Sequence, residues 1–536
     1  MMIRVVSGKS FKEIEYKEGL SVLEVLRNED IYVPAYCSGR GVCGKCGIQV
    51  ISGSLEVTED DRKAFDEVQL NKGYRLSCKA YPASDIDIQL LSQSEDDFEV
   101  LSSHGAVGET DERDNTDEAM GTDRACGSTA DSEGSYGIAV DIGTTTISMD
   151  LIHLDSGKVV ESDNRINRQR AFGADVISRI QASNNGQKEA LRQSIVKDLV
   201  EGFENMIRKT GIDAKRIENI VIGANTTMEH LLLGYSCETL GVYPFEPVSI
   251  ETSVWPFEKV FDSDMLEASV TILPGISTYV GADIAAGLLC CGFDQMEKPS
   301  MLIDLGTNGE MAIGCKDKLL CTSTAAGPAF EGGNISCGIG SVKGAVCAVE
   351  IIEKEPLNIK YTTISDGEPV GICGTGVMDI TAELVKSGLV DETGLLDEDY
   401  FDDGIFIAKS KSGEDIVFTQ QDIREIQLAK AAVRAGIEVL VKKYGIGFDD
   451  VDTVYLAGGF GFRLNIEKAV SIGLLPEAFA GKIKIAGNTS LKGASACLME
   501  AHKISVMETL IGRCEEIGLG SDKDFNEAYM DAMCFE

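Results

Sequence analysis

Four cysteines carry the first chemistry legible in this sequence. Cys37, Cys43 and Cys46 share one loop, Cys-Ser-Gly-Arg-Gly-Val-Cys-Gly-Lys-Cys, and Cys78 follows after a gap of 31 residues. Three thiolates in one loop and a distant fourth differ by one residue from the plant-type [2Fe-2S] spacing. Gly39, Gly41, Gly44 and Gly47 suit that chemistry, because a backbone without side chains can curl round a cluster and turn N–H groups toward its sulfides. Zinc is the alternative, but zinc sites usually pair two C-x2-C units and only one occurs here.

The second chemistry comes in two copies. Tyr136 to Ile152 runs as an apolar strand into Asp141, a turn with Gly143, Thr144 and Thr145, and a second strand. The same order returns at Met301, with Asp304, Gly306, Thr307, Asn308 and Gly309, and 163 positions separate the two aspartates. Glycine lets backbone N–H groups approach phosphate oxygens, threonine adds donors, and an aspartate can hold Mg2+ through its waters. One Asp-x-Gly turn is common in ordinary hairpins; a pair points to two related lobes facing a nucleotide. Two further glycine turns open helices: Gly374 and Gly376, suited to an anion, and Gly458 and Gly459, suited to close contact with adenosine.

These residues need particular elements to position them. Met2 to Val6 and Phe11 to Tyr16 alternate as a hairpin, and Ser21 to Glu24 reads as a capping box opening a helix to about Asn28. Strands over Gly47 to Ile51, Tyr74 to Ser77 and Ile86 to Leu90 follow, the middle one delivering Cys78. Glu95 to Glu133 holds 13 Asp or Glu against two Arg and few apolar residues. Such a stretch cannot bury enough surface to fold alone, so it reads as a tether of about 40 residues spanning roughly 35 Å. His230 and His502 lie in helical patterns and read as packed or solvated rather than as ligands; Cys290 and Cys291 read as packing.

The chain has 536 residues, 43% of them hydrophobic, enough for several cores. Its net charge is -38, from 87 acidic and 49 basic residues, so the Lys and Arg clusters that neutralise nucleic-acid phosphates are missing. No signal-like start and no apolar run of about 18 residues appears, and 16 cysteines suit a reducing compartment. The expectation is a cytoplasmic protein of an anaerobic cell, with neither nucleic acid nor membrane as partner.

Residues 1 to 92 resemble a ferredoxin domain of the adrenodoxin-like spacing class. Residues 136 to about 520 resemble the superfamily of acetate and sugar kinases, heat-shock chaperone ATPases and actin. The order of the two modules, with Gly223 to Gly234, Pro244 to Pro247, Gly281 to Ile284 and Ala325 to Gly332, resembles the reductive activators of corrinoid proteins.

That resemblance implies an α/β chain: a β-grasp [2Fe-2S] ferredoxin domain at 1–92, an acidic flexible linker at 93–134, and a two-lobed actin-like ATPase with lobe I at 135–298 and lobe II at 299–536. The linker leaves no room for the small extra domain that members can carry there. The implied activity is ATP-dependent, one-electron reduction of a Co(II) corrinoid protein to Co(I). Cys37, Cys43, Cys46 and Cys78 would hold the cluster, fed by a low-potential electron donor. Asp141 and Asp304 would be catalytic at the ATP and Mg2+ site. The alternatives are a nucleotide-binding electron-transfer scaffold without hydrolysis and a small-molecule kinase with a redox-sensing ferredoxin domain.

Overall fold

The computed structural model of the chain describes residues 1–7, 10–29, 31, 33, 39–41, 44–91, 134–411, 413–461 and 464–535. Cys37, Cys43 and the acidic linker up to residue 133 lie outside the described residues. The chain packs as two compact units, one of Met1–Phe98, Ile166–Asp198 and His230–Val248, the other of Glu99–Arg165, Leu199–Glu229 and Ser249–Glu536.

In the first unit, β1 (Met2–Ser7) and β2 (Ser10–Glu15) form an antiparallel hairpin, followed by the helix Val22–Asn28 and by β3 (Gly47–Ser52), β4 (Tyr74–Leu76) and β5 (Ile86–Leu90). The sheet order is β2-β1-β5-β3-β4, with β1 and β5 parallel, the β-grasp arrangement expected. The helix starts where its capping box does: Ser21 accepts from the Glu24 N–H, and the Glu24 carboxylate accepts from the Ser21 N–H at 2.7 Å. Its Val22, Leu23, Val25 and Leu26 then cover the inward residues Ile3, Ile14, Ile48, Ile86 and Ile88. Outside the sheet, the Arg27 guanidinium lies 5.3 Å from the centre of the Phe172 ring, so the ferredoxin helix touches the segment Ile166–Asp198 of the same unit.

The second unit is built on two six-stranded sheets of one design. The first contains β6 (Tyr136–Ile142), β7 (Thr146–His153), β8 (Lys158–Ile166), β9 (Ile217–Ala224), β10 (Ser253–Pro256) and β11 (Ser269–Ile272), in the order β10-β11-β9-β6-β7-β8. The second begins with β12 (Ser300–Leu305), β13 (Gly309–Cys315) and β14 (Lys318–Thr324). Beside it run a three-stranded sheet, β15 (Ala345–Glu353), β16 (Asn358–Thr363) and β17 (Gly371–Ile372), and a hairpin, β18 (Ile405–Lys409) and β19 (Asp415–Phe418). Then β20 (Val454–Ala457), β21 (Ile483–Gly487) and β22 (Cys514–Glu516) complete the second sheet as β21-β20-β12-β13-β14-β22. In both sheets the aspartate-bearing strand is antiparallel to the next strand and parallel to a later one: β6 with β7 and β9, β12 with β13 and β20. The internal repeat read from the two Asp-Gly-Thr turns is therefore a repeat of topology.

One helix near the C-terminal end packs back on the first sheet. The helix Thr489–Met499 lies on β6 and β9 of the first sheet and against the helix Ala282–Cys290, sharing a core of Ala139, Val221, Ala285, Leu491, Ala494 and Met507. Glycine makes this crossing possible, because a Cβ at Gly493 would stand 2.3 Å from the Ala286 carbonyl oxygen. Overpacking such a contact costs about 1 to 3 kcal/mol. Gly493→Leu is expected to lower the melting temperature by several degrees and to weaken nucleotide binding, since Asn488 at the head of this helix contacts Asp141. Calorimetric melting and nucleotide titration measure both effects, and a variant that melts early but binds nucleotide as tightly as the wild type would detach this helix from the site.

Candidate functional site

The structure brings two of the four cluster cysteines together. Cys46 ends the loop before β3, Cys78 sits in the single turn Ser77–Lys79 after β4, and their sulfurs are 3.2 Å apart in a buried setting. The pairing is held by backbone, with the Ser77 N–H donating to the Cys46 carbonyl at 2.9 Å. Buried Asp61 fixes the strand that delivers Cys78: one of its oxygens accepts from the Leu76 N–H at 2.7 Å, and the other from Thr58. Gly39, Gly41 and Gly44 all have positive φ, and a Cβ on Gly39 would lie 3.7 Å from the Cys78 Cβ. Two buried, adjacent cysteine sulfurs beside a loop that turns on left-handed glycines fit a thiolate-ligated cluster.

The second site is a group of carboxylates in the second unit. Asp304 on β12 stands in register with Glu310 on β13 and Ala457 on β20. Like charges directly opposite across a sheet repel, and with Glu310 buried and Asp304 partly buried, water screens them only in part. Burial, then Asp283, Asp141 and Glu331, push the Asp304 carboxyl up to about 8. Burial, with Asp141 adding to it, raises Asp283 to about 7. Burial lifts Glu310 well above the usual carboxylate range, Asp283 and Asp304 reinforcing it. Burial also raises Asp141, opposed by the hydrogen bond that Asn488 Nδ2 donates to its Oδ2 at 2.8 Å.

The two Asp-Gly-Thr turns meet at a third carboxylate. Thr145 of the β6–β7 turn donates to Glu331 Oε2 at 2.6 Å, Thr307 of the β12–β13 turn donates to the same oxygen at 3.1 Å, and the two hydroxyl oxygens are 3.3 Å apart. The Asn225 amide donates to the Thr144 hydroxyl at 3.1 Å. Gly143 and Gly306 close their turns by donating N–H to Thr146 at 2.9 Å and to Asn308 at 3.1 Å. A Cβ on Gly458, whose φ is 85°, would stand 2.5 Å from Asp304 Oδ1, so the third glycine turn touches the second aspartate; Gly459 faces open space. Gly309 packs against the Thr324 hydroxyl. Gly374 and Gly376 are buried against the carbonyls of Phe330 and Val346, where a Cβ would come within 1.7 and 2.1 Å. Glycine there has a packing reason, and any anion contact goes through backbone N–H alone.

Sequence reasoning named Asp141 and Asp304 but passed over Asp283, Glu310 and Glu331, although all three stand in or beside the quoted motifs. It missed Asn488 and Asn225, which act from helix starts far along the chain. Glu229, next to the Asn225 turn, is a buried carboxylate that burial alone lifts to about 8. His230 is buried and its Nε2 accepts from the Val248 N–H at 2.9 Å, a packed histidine as expected. Cys290 and Cys291 end the helix Ala282–Cys290, partly buried rather than sealed in a core.

A β-grasp unit with a thiol pair, combined with a duplicated two-sheet unit whose glycine turns converge on one carboxylate, defines a ferredoxin-linked ATPase of the ASKHA class. Residues 6–83 match the 2Fe-2S iron-sulfur cluster binding domain, 136–296 the RACo middle region, and 298–536 the C-terminal domain of RACo, the ASKHA domain. The chain is 33% identical over 422 residues to the corrinoid activation enzyme RamQ of Eubacterium limosum, covering 74% of this chain and 69% of that protein. It is 27% identical over 428 residues to the [Co(II) methylated amine-specific corrinoid protein] reductase of Methanosarcina barkeri, with 74% and 76% covered. A solved structure, a reductive activator for corrinoid,iron-sulfur protein, superposes with a TM-score of 0.70 at 28% identity over 100% of this chain and 98% of that one. The chain belongs to the RACo family of corrinoid-protein activators. Among the described residues, no helix is long and apolar enough to cross a membrane.

The raised carboxyls make stability depend on pH. Unfolded, Asp304 ionises near 3.8; folded, it ionises near 8. Between those values the folded state binds the extra proton, so stability falls as pH rises through that window. Asp304→Asn should flatten the fall, and Mg2+ should offset it in the wild type but much less in the variant. Melting temperatures at about pH 5.5 and about pH 8.5, with and without Mg2+, measure this. Parallel curves for the two proteins would show that the Asp304 carboxyl is not raised in the folded state.

Proposed function

We propose that the chain uses ATP to drive one-electron reduction of a corrinoid protein from Co(II) to Co(I), through a [2Fe-2S] cluster held by Cys37, Cys43, Cys46 and Cys78. The observation carrying this reading is the union in one chain of the Cys46–Cys78 thiol pair with the site where both Asp-Gly-Thr turns converge. A low-potential donor feeds the cluster, and the protein works in the cytoplasm.

The nucleotide site takes Mg2+ beside ATP. Four clustered carboxylates, all raised by desolvation and three of them (Asp283, Asp304 and Glu310) raised further by their neighbours, need a cation or protons to offset their charge. Among the described residues no three metal-binding side chains converge tightly enough to clasp a bare ion. That suits Mg2+, which keeps several of its waters. When bound, the cluster supplies a one-electron relay and Mg2+ supplies charge neutralisation at the phosphates. Asp141 and Asp304 would hold the hydrated ion, and Asp283 would add negative charge beside them. Thr144, Thr145 and Thr307 donate hydroxyls to phosphate oxygens, with the backbone of Gly143, Gly306, Asn308 and Gly309. Gly374 and Gly376 add backbone N–H groups at a helix start, and Gly458 and Gly459 admit the adenosine. Asn488 keeps the Asp141 carboxylate aimed at the ion rather than at solvent.

Reduction to Co(I) is uphill for an ordinary donor, and ATP can help only by favouring one protein state over another. Two hairpins from two sheets that grip one nucleotide provide such states, because the grip is satisfied only when both approach the phosphates.

Growth of the Co(I) absorbance in the presence of a low-potential reductant, ATP and candidate corrinoid proteins tests the reading. Asp304→Asn should slow ATP-dependent reduction by about 100-fold or more while leaving the cluster spectrum intact. Cys46→Ser should do the reverse, losing most of the visible cluster absorbance and electron transfer while ATP binding stays within about twofold. Loss of both functions in either variant would sink the division of labour between the two units.

A further inference from the structure

Glu331 stands where a phosphate is expected. It ends the short turn Pro328–Glu331, whose Ala329 and Phe330 are buried in the core of the second sheet. The Phe330 carbonyl lies so close to Gly374 that no side chain fits there. The turn is anchored, and its last side chain reaches out. Glu331 Oε2 accepts from both Thr145 and Thr307, the one hydroxyl carried by the first sheet's hairpin and the other by the second's. Its other oxygen, Oε1, lies 3.8 Å from where a Cβ on Gly306 would be, directly over the second glycine turn. An anion thus sits on donors from both phosphate turns at once.

We propose that Glu331 is an internal stand-in for the terminal phosphate of a nucleoside triphosphate. It ties the two hairpins together and gives way when that phosphate takes the same two hydroxyls. This rests on the nucleotide reading above and goes beyond it. A carboxylate and a terminal phosphate are both oxyanions with acceptor oxygens for hydroxyl donors, and they cannot share one position. Two negative groups there would also repel in a site already crowded with carboxylates. Glu331 therefore acts as a positioning residue that competes with triphosphate and leaves diphosphate nearly untouched, because ADP lacks the group that must displace it.

The test is calorimetric titration of the full chain with Mg2+ and either a non-hydrolysable β,γ-methylene ATP analogue or ADP. Glu331→Ala should raise affinity for the analogue about tenfold and change ADP affinity by less than about twofold. Glu331→Gln keeps the shape, removes the charge and should move in the same direction by a smaller factor, which guards against a folding defect in the alanine variant. Weaker analogue binding in both variants, or equal shifts for analogue and ADP, overturns the inference while leaving the nucleotide site standing. A wild type that binds neither ligand overturns the nucleotide reading and the inference with it.

Discussion

The second unit is arranged around the cost of keeping Asp141, Asp283, Asp304 and Glu310 together in a site where Glu310 is buried and the three aspartates are partly so. Asp304 and Glu310 are direct cross-strand neighbours, an arrangement a sheet ordinarily avoids because like charges in that position repel. Burial multiplies the repulsion, since the same charges interact several times more strongly in a protein interior than in bulk water. Such a group is relieved by protons or by a counter-charge, and the surroundings of the four carboxylates fit the proposed cation site. Asn488 donates to Asp141, Gly458 leaves room beside Asp304, and the hydroxyls of Thr145 and Thr307 converge nearby.

Meeting that constraint explains why one sheet would not do. Each Asp-Gly-Thr turn presents donors in a single direction, so enclosing a phosphate chain takes two turns from two sheets. The repeated topology supplies them, and the helix Thr489–Met499 completes the arrangement by returning from the second half of the chain to the first sheet. Its closeness depends on Gly493 against Ala286, and its first turn carries Asn488 to Asp141. A packing contact between two helices thus sets the geometry of a carboxylate in a strand.

What was legible in the sequence follows from what is local. The Ser21–Glu24 capping box, the alternating hairpins and the apolar strands ending in Asp-Gly-Thr are written in neighbouring residues, and the elements fall where those signals place them. The repeat was visible because both copies spell the same turn. Asn488 and Asn225 were not visible as site residues, because an asparagine at a helix start reads as a cap, and both do cap helices as well. Asp283 sits in the first turn of an apolar helix, and only tertiary packing brings it beside Asp141. That the helix Thr489–Met499 covers the first sheet was not legible for the same reason, since no local pattern says which sheet a late helix will cover. Glycine was ambiguous throughout: Gly458 makes room for Asp304, whereas Gly374 and Gly376 make room for backbone.

Any help that ATP gives to an uphill electron must come from interactions made better in one state than in another. A hydrogen bond to a charged group contributes about 1.5 to 3 kcal/mol, so the pair of hydroxyls at Glu331 represents roughly 3 to 6 kcal/mol, or about 130 to 260 mV for one electron. That gross figure is comparable with the steps that separate biological redox couples, but exchange of one oxyanion for another at the same hydroxyls yields only the difference between them. The larger change lies in the carboxylates, where an arriving cation converts mutual repulsion into attraction within the same buried volume. On the proposed reading the hydroxyls set the geometry of closure and the choice of nucleotide, while relief of repulsion among Asp141, Asp283, Asp304 and Glu310 contributes to the driving force. Separating the two roles in this way fits a site that combines neutral donors on the turns with a cluster of carboxyls whose pKa values are raised.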